Sequence, residues 1–187
     1  MVESAALEMR YTSNGIRGSN PLVSAIKIYN MKKPISDEEY YGNLPKKHIG
    51  ALVLIFNKNQ QLLIVKPTYK EGWSIPGGGV DDNESPKTAA VREIKEELGL
   101  NLKSIILIGV GYTPVQGIKP ETLQFIFNGG ELSADEINKI SLNKSEHSEF
   151  CFVEIPEASN LLDERQKRWL TFYTKEIENR GVEYIEL

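Results

Sequence analysis

A chain of 187 residues with 40% hydrophobic side chains suits one domain with a substantial core plus an appendage, and is short for two domains. Its net charge of -4 and pI near 5.4 argue against a broad electrostatic footprint for a nucleic-acid polymer, though not against a small nucleotide bound through a metal. The single cysteine, Cys151, excludes an internal disulfide, and two histidines, His48 and His147, are too few and too far apart for a zinc cluster.

No apolar run approaches the ~20 residues of a membrane span, and the N-terminus lacks a signal-peptide pattern, so a soluble cytoplasmic protein is expected. Residues 1–46 show weak periodicity and frequent breakers, among them Asn14-Gly15, Pro21 and Pro34. They read as an extension that contributes at most one strand, around Leu22 to Tyr29. From Ile49 the pattern sharpens. The runs IGALVLIF and QLLIVK, split by the polar cluster Asn57 to Gln60, predict a β-hairpin. The loop PTYKEGWSIPGGGVDDNE follows, and then a helix with both ends marked. Ser85 suits the N-cap and Pro86 the first helical position, while Gly99 can take a left-handed conformation after Leu98. Val91, Ile94 and Leu98 form its apolar stripe.

Further strands are predicted in KSIILIGVGYTP and ETLQFIFNGG, then a loop with a short helix in ELSADEINKISLNKSEHSE and a final strand in FCFVEI. A single long helix over 158–180 would carry Leu162, Trp169, Tyr173 and Ile177 on its buried stripe. Cys151 reads as a small hydrophobe in its strand, and His147 has no partner at ligand spacing. Strands and helices mixed without strict βαβ alternation favour an α/β or α+β sandwich.

Within the central helix, the stretch REIKEEL (Arg92 to Leu98) sets Glu93, Glu96 and Glu97 on neighbouring positions. Like charges at such spacings cost a few tenths of a kcal/mol per pair, and acids in a last turn oppose the helix dipole. Taken alone, the stretch is an exposed face of mixed charge beside Lys87 and Lys95. The glycines Gly77, Gly78 and Gly79 ahead of it change that reading, because bare backbone can offer carbonyl oxygens to a hard cation. Oxygen ligands from clustered carboxylates suit Mg²⁺ or Mn²⁺, which would relieve the repulsion. Ala89 and Ala90 are read as leaving space in front of the acids.

From Gly78 to Leu100 the chain reads GGVDDNESPKTAAVREIKEELGL, which resembles the Nudix box, G-x5-E-x7-R-E-U-x-E-E-x-G-U with U a bulky aliphatic residue. Every fixed position agrees: Gly78, Glu84, Arg92, Glu93, Ile94, Glu96, Glu97, Gly99 and Leu100. The preceding WSIPGG and the hairpin also look like what comes before the box in this family, so the resemblance spans Lys47 to Leu187. It implies a Nudix-type α/β/α sandwich with a mixed β-sheet over 47–187, and hydrolysis of a nucleoside diphosphate derivative with Mg²⁺ or Mn²⁺. By the same resemblance, Glu93, Glu96, Glu97 and the Gly78 carbonyl would be metal ligands. Glu84 would assist through water or through the loop, and Arg92 would orient a box glutamate by paired hydrogen bonds. Ile94 and Leu100 would be core.

For the proton acceptor the resemblance leaves Glu93 or an acid of the loop before FCFVEI, Glu146 or Glu149. Outside the box, Lys66, Lys70 and Tyr69 are substrate-binding candidates, although a lysine at a strand end is ordinarily just solvated. Trp73 is expected to pack under the loop. The expected partner is a small nucleoside diphosphate derivative (a nucleoside triphosphate, nucleotide sugar or ADP-ribose), with a homodimer left open. The proline and tyrosine signatures of ADP-ribose and dinucleoside polyphosphate members are missing from their usual distances, Pro114 and Pro120 lying to either side of the proline position. The alternative is a Nudix-fold nucleotide-binding or regulatory module without turnover.

Overall fold

The structure is a computed structural model that describes residues 35–177 and 181–186; the strand expected around Leu22 to Tyr29 lies outside them. Ser36 accepts a hydrogen bond from the Glu39 amide and starts a short helix, α1 (Asp37–Gly42). This helix belongs to a unit that ends at Pro45, and a second unit begins at Lys46.

The second unit is built on β1 (His48–Asn57), whose residues Gly50 to Phe56 are all buried. Ala51, Val53 and Ile55 enter one core cluster, and Leu52, Leu54 and Phe56 enter the other. A strand covered on both faces needs apolar side chains at every position, which explains why IGALVLIF does not alternate. Each Val, Leu, Ile or Phe side chain among them contributes roughly 1.5–3 kcal/mol when fully buried. The Asn57 side chain then accepts from the amides of Asn59 and Gln61 at 2.9 and 3.0 Å, closing the turn into β2 (Leu62–Pro67).

Only the Phe56–Leu62 end of the hairpin is paired. Farther along the same edge of β1 lies β3 (Gly77–Gly79), with Gly50 opposite Gly79 and Leu52 opposite Gly77. The glycine loop expected from the sequence is therefore a strand. Next comes α2 (Pro86–Leu98), capped by Ser85 at one end and by Gly99 in the left-handed conformation at the other, as its sequence signals predict. Its residues Ala89, Ala90, Ile94 and Leu98 are buried against the Ala51 face of the sheet. The two alanines thus do not leave space before the acids; they let the helix backbone approach the sheet.

β4 (Ile106–Thr113) and β5 (Thr122–Leu132) form an antiparallel pair, and β5 runs parallel to β1. A capping box between Ser133 and Glu136 begins α3 (Ala134–Ile137), and β6 (His147–Val153) pairs with β2. The chain continues into α4 (Ile155–Leu161) and α5 (Glu164–Ile177), then β7 (Glu183–Glu186), which lies parallel to β4. The seven-stranded mixed sheet has the order β6-β2-β1-β5-β4-β7, with β3 beside β1.

The single long helix expected over 158–180 is two helices. Leu162 takes an extended conformation, and the Asp163 carboxylate restarts the helix by accepting from the Gln166 amide at 2.7 Å. Trp169 and Phe172 stack at 6.0 Å and fill the core on the Leu52 face, opposite α2. The result is the expected α/β sandwich, with helices on both faces of a mixed sheet. No described helix is long and apolar enough to cross a membrane.

Candidate catalytic centre

The three glutamates of α2 occupy different environments because the helix lies with one side on β3. Glu97, facing the sheet, is buried and accepts from the Gly77 amide at 2.8 Å through Oε2. Its Oε1 lies 2.7 Å from Nε2 of His147, which is also buried. Glu93 is partly buried, and Glu96 is exposed.

Glycine is needed twice here. At Gly77, with φ of 126°, a Cβ would stand 2.2 Å from the Ala51 carbonyl oxygen. At Gly78 a Cβ would stand 2.5 Å from the carboxyl carbon of Glu93, so that carboxylate rests against bare backbone.

Arg92 organises the rest. Its Nε and Nη2 donate to the two oxygens of Glu84 at 3.0 and 2.9 Å, a paired arrangement. Nη2 also donates to the Gly79 carbonyl at 3.0 Å, while Nη1 donates to Glu93 at 2.8 Å and to Glu96 at 3.1 Å. The paired bonds expected on a box glutamate thus fall on Glu84, which also accepts from the Asp81 amide at 3.1 Å. Through Glu84, the arginine ties the loop before α2 to the helix.

These contacts bias the charges. Burial raises the Glu93 carboxyl above the ordinary range, Arg92 opposes the shift, and Glu97 and Glu96 add to it. Glu84 is lowered by its hydrogen bonds from Arg92 and from the Asp81 amide.

The loop between α3 and β6 folds onto the end of α2. The amides of Ser141 and Asn143 donate to the carbonyls of Leu98 and Glu97, both at 2.9 Å, satisfying acceptors that a helix end leaves free. The Asn143 side chain donates to Glu146 at 2.6 Å. As a result Glu146 and His147 come beside Glu97, and one ligand atom of each lies within 4.8 Å of the others.

Glu149 is not brought there. Strand alternation carries Phe150 and Phe152 to the α2 face, and Glu149 instead forms an ion pair with Lys66 at 3.1 Å on the other. Lys66 in turn lies over the ring of Trp73, which packs against the α5-side core. Lys66 is therefore engaged away from the acids. Tyr69 and Lys70 line a cleft of about 290 Å³ together with Gly77, Gly78 and Gly79, and Gln124, Arg165 and Gln166 also border it. Ile94 and Leu100 are core, as expected.

The carboxylate oxygens of Glu97 and Glu146 in the group with His147, and those of Glu93 against Gly78, are hard donors of the kind that suits a divalent cation such as Mg²⁺ or Mn²⁺. A partly buried carboxylate held among other carboxylates is a repulsive arrangement that such a cation relieves.

The family model for the NUDIX domain matches residues 46–173. The chain belongs to the Nudix family. Among its Nudix relatives is a putative 8-oxo-dGTP diphosphatase of Bacillus subtilis (strain 168), 42% identical over 46% of this chain and 58% of its own length. The chain therefore spans little more than half of that protein. A mouse diphosphoinositol polyphosphate phosphohydrolase 3-alpha is 32% identical over 60% of this chain and 68% of its own. The MutT protein from Methanosarcina mazei Go1 has the same fold, with a TM-score of 0.58 at 23% identity, covering 74% of this chain and all of that one.

The sequence reading missed His147, Gln124, Arg165 and Gln166. His147 could have been suspected from its place next to Glu146, but its partner Glu97 is fifty residues away. The other three carry no local pattern.

Proposed function

We propose that this Nudix chain is a cytoplasmic, divalent-cation-dependent hydrolase that cleaves a diphosphate linkage in a nucleoside diphosphate derivative. The observation that carries this reading is the meeting of Glu97, Glu146 and His147, one ligand atom of each within 4.8 Å of the others, beside the helix whose Glu93 rests against the bare backbone of Gly78 at the edge of a cleft. The names of the Bacillus and mouse relatives, a diphosphatase and a phosphohydrolase, support it.

A diphosphate repels a hydroxide, and a bound Mg²⁺ or Mn²⁺ supplies charge neutralisation and a more acidic water. Glu96, Glu97 and the Gly78 carbonyl would hold the cation, with Glu146 completing the set. Glu93 would take the proton from the attacking water, since a carboxyl raised by burial is a better base near neutrality. The water oxygen bonds to phosphorus as the bridging P–O bond breaks, leaving two phosphate-terminated products. Arg92 keeps Glu93 and Glu96 oriented, and His147 does the same for Glu97.

Incubating purified protein and Mg²⁺ or Mn²⁺ with nucleoside triphosphates, nucleotide sugars and ADP-ribose, and identifying the products, tests the reading. Release of phosphate-terminated products is expected. Binding of a panel member without release would make the chain a nucleotide-binding module instead.

A further inference from the structure

The cleft beside the acids runs from β3 across the ends of β1 and β5 to the start of α5. Its chemistry on the far side is cationic. Lys70 and Arg165 both line it, and neither forms an ion pair among the described residues. Arg165 also borders a second hollow, of about 200 Å³, lined by Thr113, Gln116, Glu164 and Arg168. Cationic side chains that share a concave surface raise the local concentration of anions.

The cleft also holds unused hydrogen-bonding capacity. Gln124 is 9% exposed, lies across Gly50 where a Cβ would stand 2.6 Å from its Oε1, and has no hydrogen-bond partner for Nε2. The Thr113 hydroxyl, in the neighbouring hollow, is likewise buried and unpartnered. A buried polar group left without a partner costs about 1–3 kcal/mol. A ligand oxygen accepting from Gln124 would recover that cost.

Stacking is poorly provided for. Tyr69, which is 73% exposed, and the imidazole of His48 are the rings among the described residues that line the cleft, and no Phe or Trp is there to stack on a base.

We propose that this cleft selects substrates carrying a phosphoryl group beyond the diphosphate that is cleaved, bound by Lys70 and Arg165 and hydrogen-bonded by Gln124. The inference rests on the hydrolase reading and narrows its substrate class. The state of Lys70 agrees: desolvation holds it below the ordinary lysine range, Arg165 and Lys119 lower it further while Asp163 and Glu97 oppose them, and a bound phosphoryl group would favour its charged form. The extra phosphoryl could sit on a nucleotide ribose or on an inositol ring, and the chemistry of recognition is the same for both.

The matched pair ADP-ribose and ADP-ribose 2′-phosphate tests the nucleotide source, and a diphosphoinositol polyphosphate tests the ring source. For the wild type, kcat/KM should be at least about tenfold higher for the phosphorylated member, or for the inositol compound over ADP-ribose, the scale of a charge-assisted phosphate contact. In the double variant Lys70→Gln with Arg165→Gln that preference should collapse to near parity through KM, with Arg165→Lys retaining part of it. Both positions accept polar side chains at the surface, and an unchanged melting temperature would show that folding is intact.

Calorimetric binding of the same phosphorylated compounds without metal reports on the cleft independently of turnover. Binding that is lost in the double variant supports the proposal even when the acid cluster turns nothing over, and that second result would overturn only the hydrolase reading. Equal kcat/KM for ADP-ribose, its 2′-phosphate and the diphosphoinositol polyphosphate in the wild type, or binding that the double variant leaves unchanged, overturns the proposal.

Discussion

The imidazole Nε2 of His147 lies 2.7 Å from Oε1 of Glu97, and both side chains are buried. With Glu97 ionised, the ring donates, and together with the Gly77 amide it gives that carboxylate one partner on each oxygen. Replacement by phenylalanine should leave Oε1 unpaired, destabilise the protein by about 1–3 kcal/mol and lower kcat. His147→Gln, which keeps a donor, should recover part of both. Urea denaturation and turnover of the two variants check this, and equal losses in both would remove the donor role.

Two adjacent glycines should fail in different ways. At Gly77 an added methyl group meets the Ala51 backbone at a positive φ that side chains rarely adopt. Gly77→Ala should therefore cost about 1–3 kcal/mol or more of stability. At Gly78 the obstacle is the movable end of the Glu93 side chain. Gly78→Ala should fold nearly as well as wild type but lose at least about tenfold in kcat as Glu93 is displaced, since small misplacements at a reacting centre are costly. Thermal melts beside initial rates separate the two outcomes.

The Arg92–Glu84 pair should make stability depend on acid. Because the folded pKa of Glu84 lies below its ordinary value of 4.5, the pair's contribution is fully present above that value and is lost as the pH falls through the lowered one. Glu84→Gln should flatten this part of the stability curve. Melting temperatures measured across the acid range for both proteins provide the check, and parallel curves would mean that the pair contributes nothing.

Trp169 is 1% exposed and stacks on Phe172 between α5 and the sheet. Truncation to alanine should cost about 3–5 kcal/mol. Chemical denaturation gives the value directly.

What was legible in the sequence was what is local. The caps of α2 lie within a few residues of the groups they satisfy, so Ser85, Pro86 and Gly99 marked the helix before any contact was known. The β1–β2 turn was readable for the same reason, through Asn57. β3 was not, because Gly77–Gly79 has no side-chain pattern and is a strand through its pairing with β1. The break between α4 and α5 was hidden as well, since Leu162 continues the apolar stripe while its backbone leaves the helix. In the centre, the box acids were visible as a spacing. The choice between Glu146 and Glu149 depended on strand alternation and on amides docked to the Leu98 and Glu97 carbonyls, which no spacing displays.

The role of the acid cluster is tested most directly by measuring Mn²⁺ binding and diphosphate turnover in the wild type and in the double variant Glu96→Gln with Glu97→Gln. The wild type should bind the ion and turn over substrate only in its presence. The double variant should stay folded, bind Mn²⁺ far more weakly and lose at least about a hundredfold in turnover, the worth of several kcal/mol of charge stabilisation. Unchanged Mn²⁺ affinity in the folded double variant, or undiminished turnover, would contradict a cation held by these glutamates.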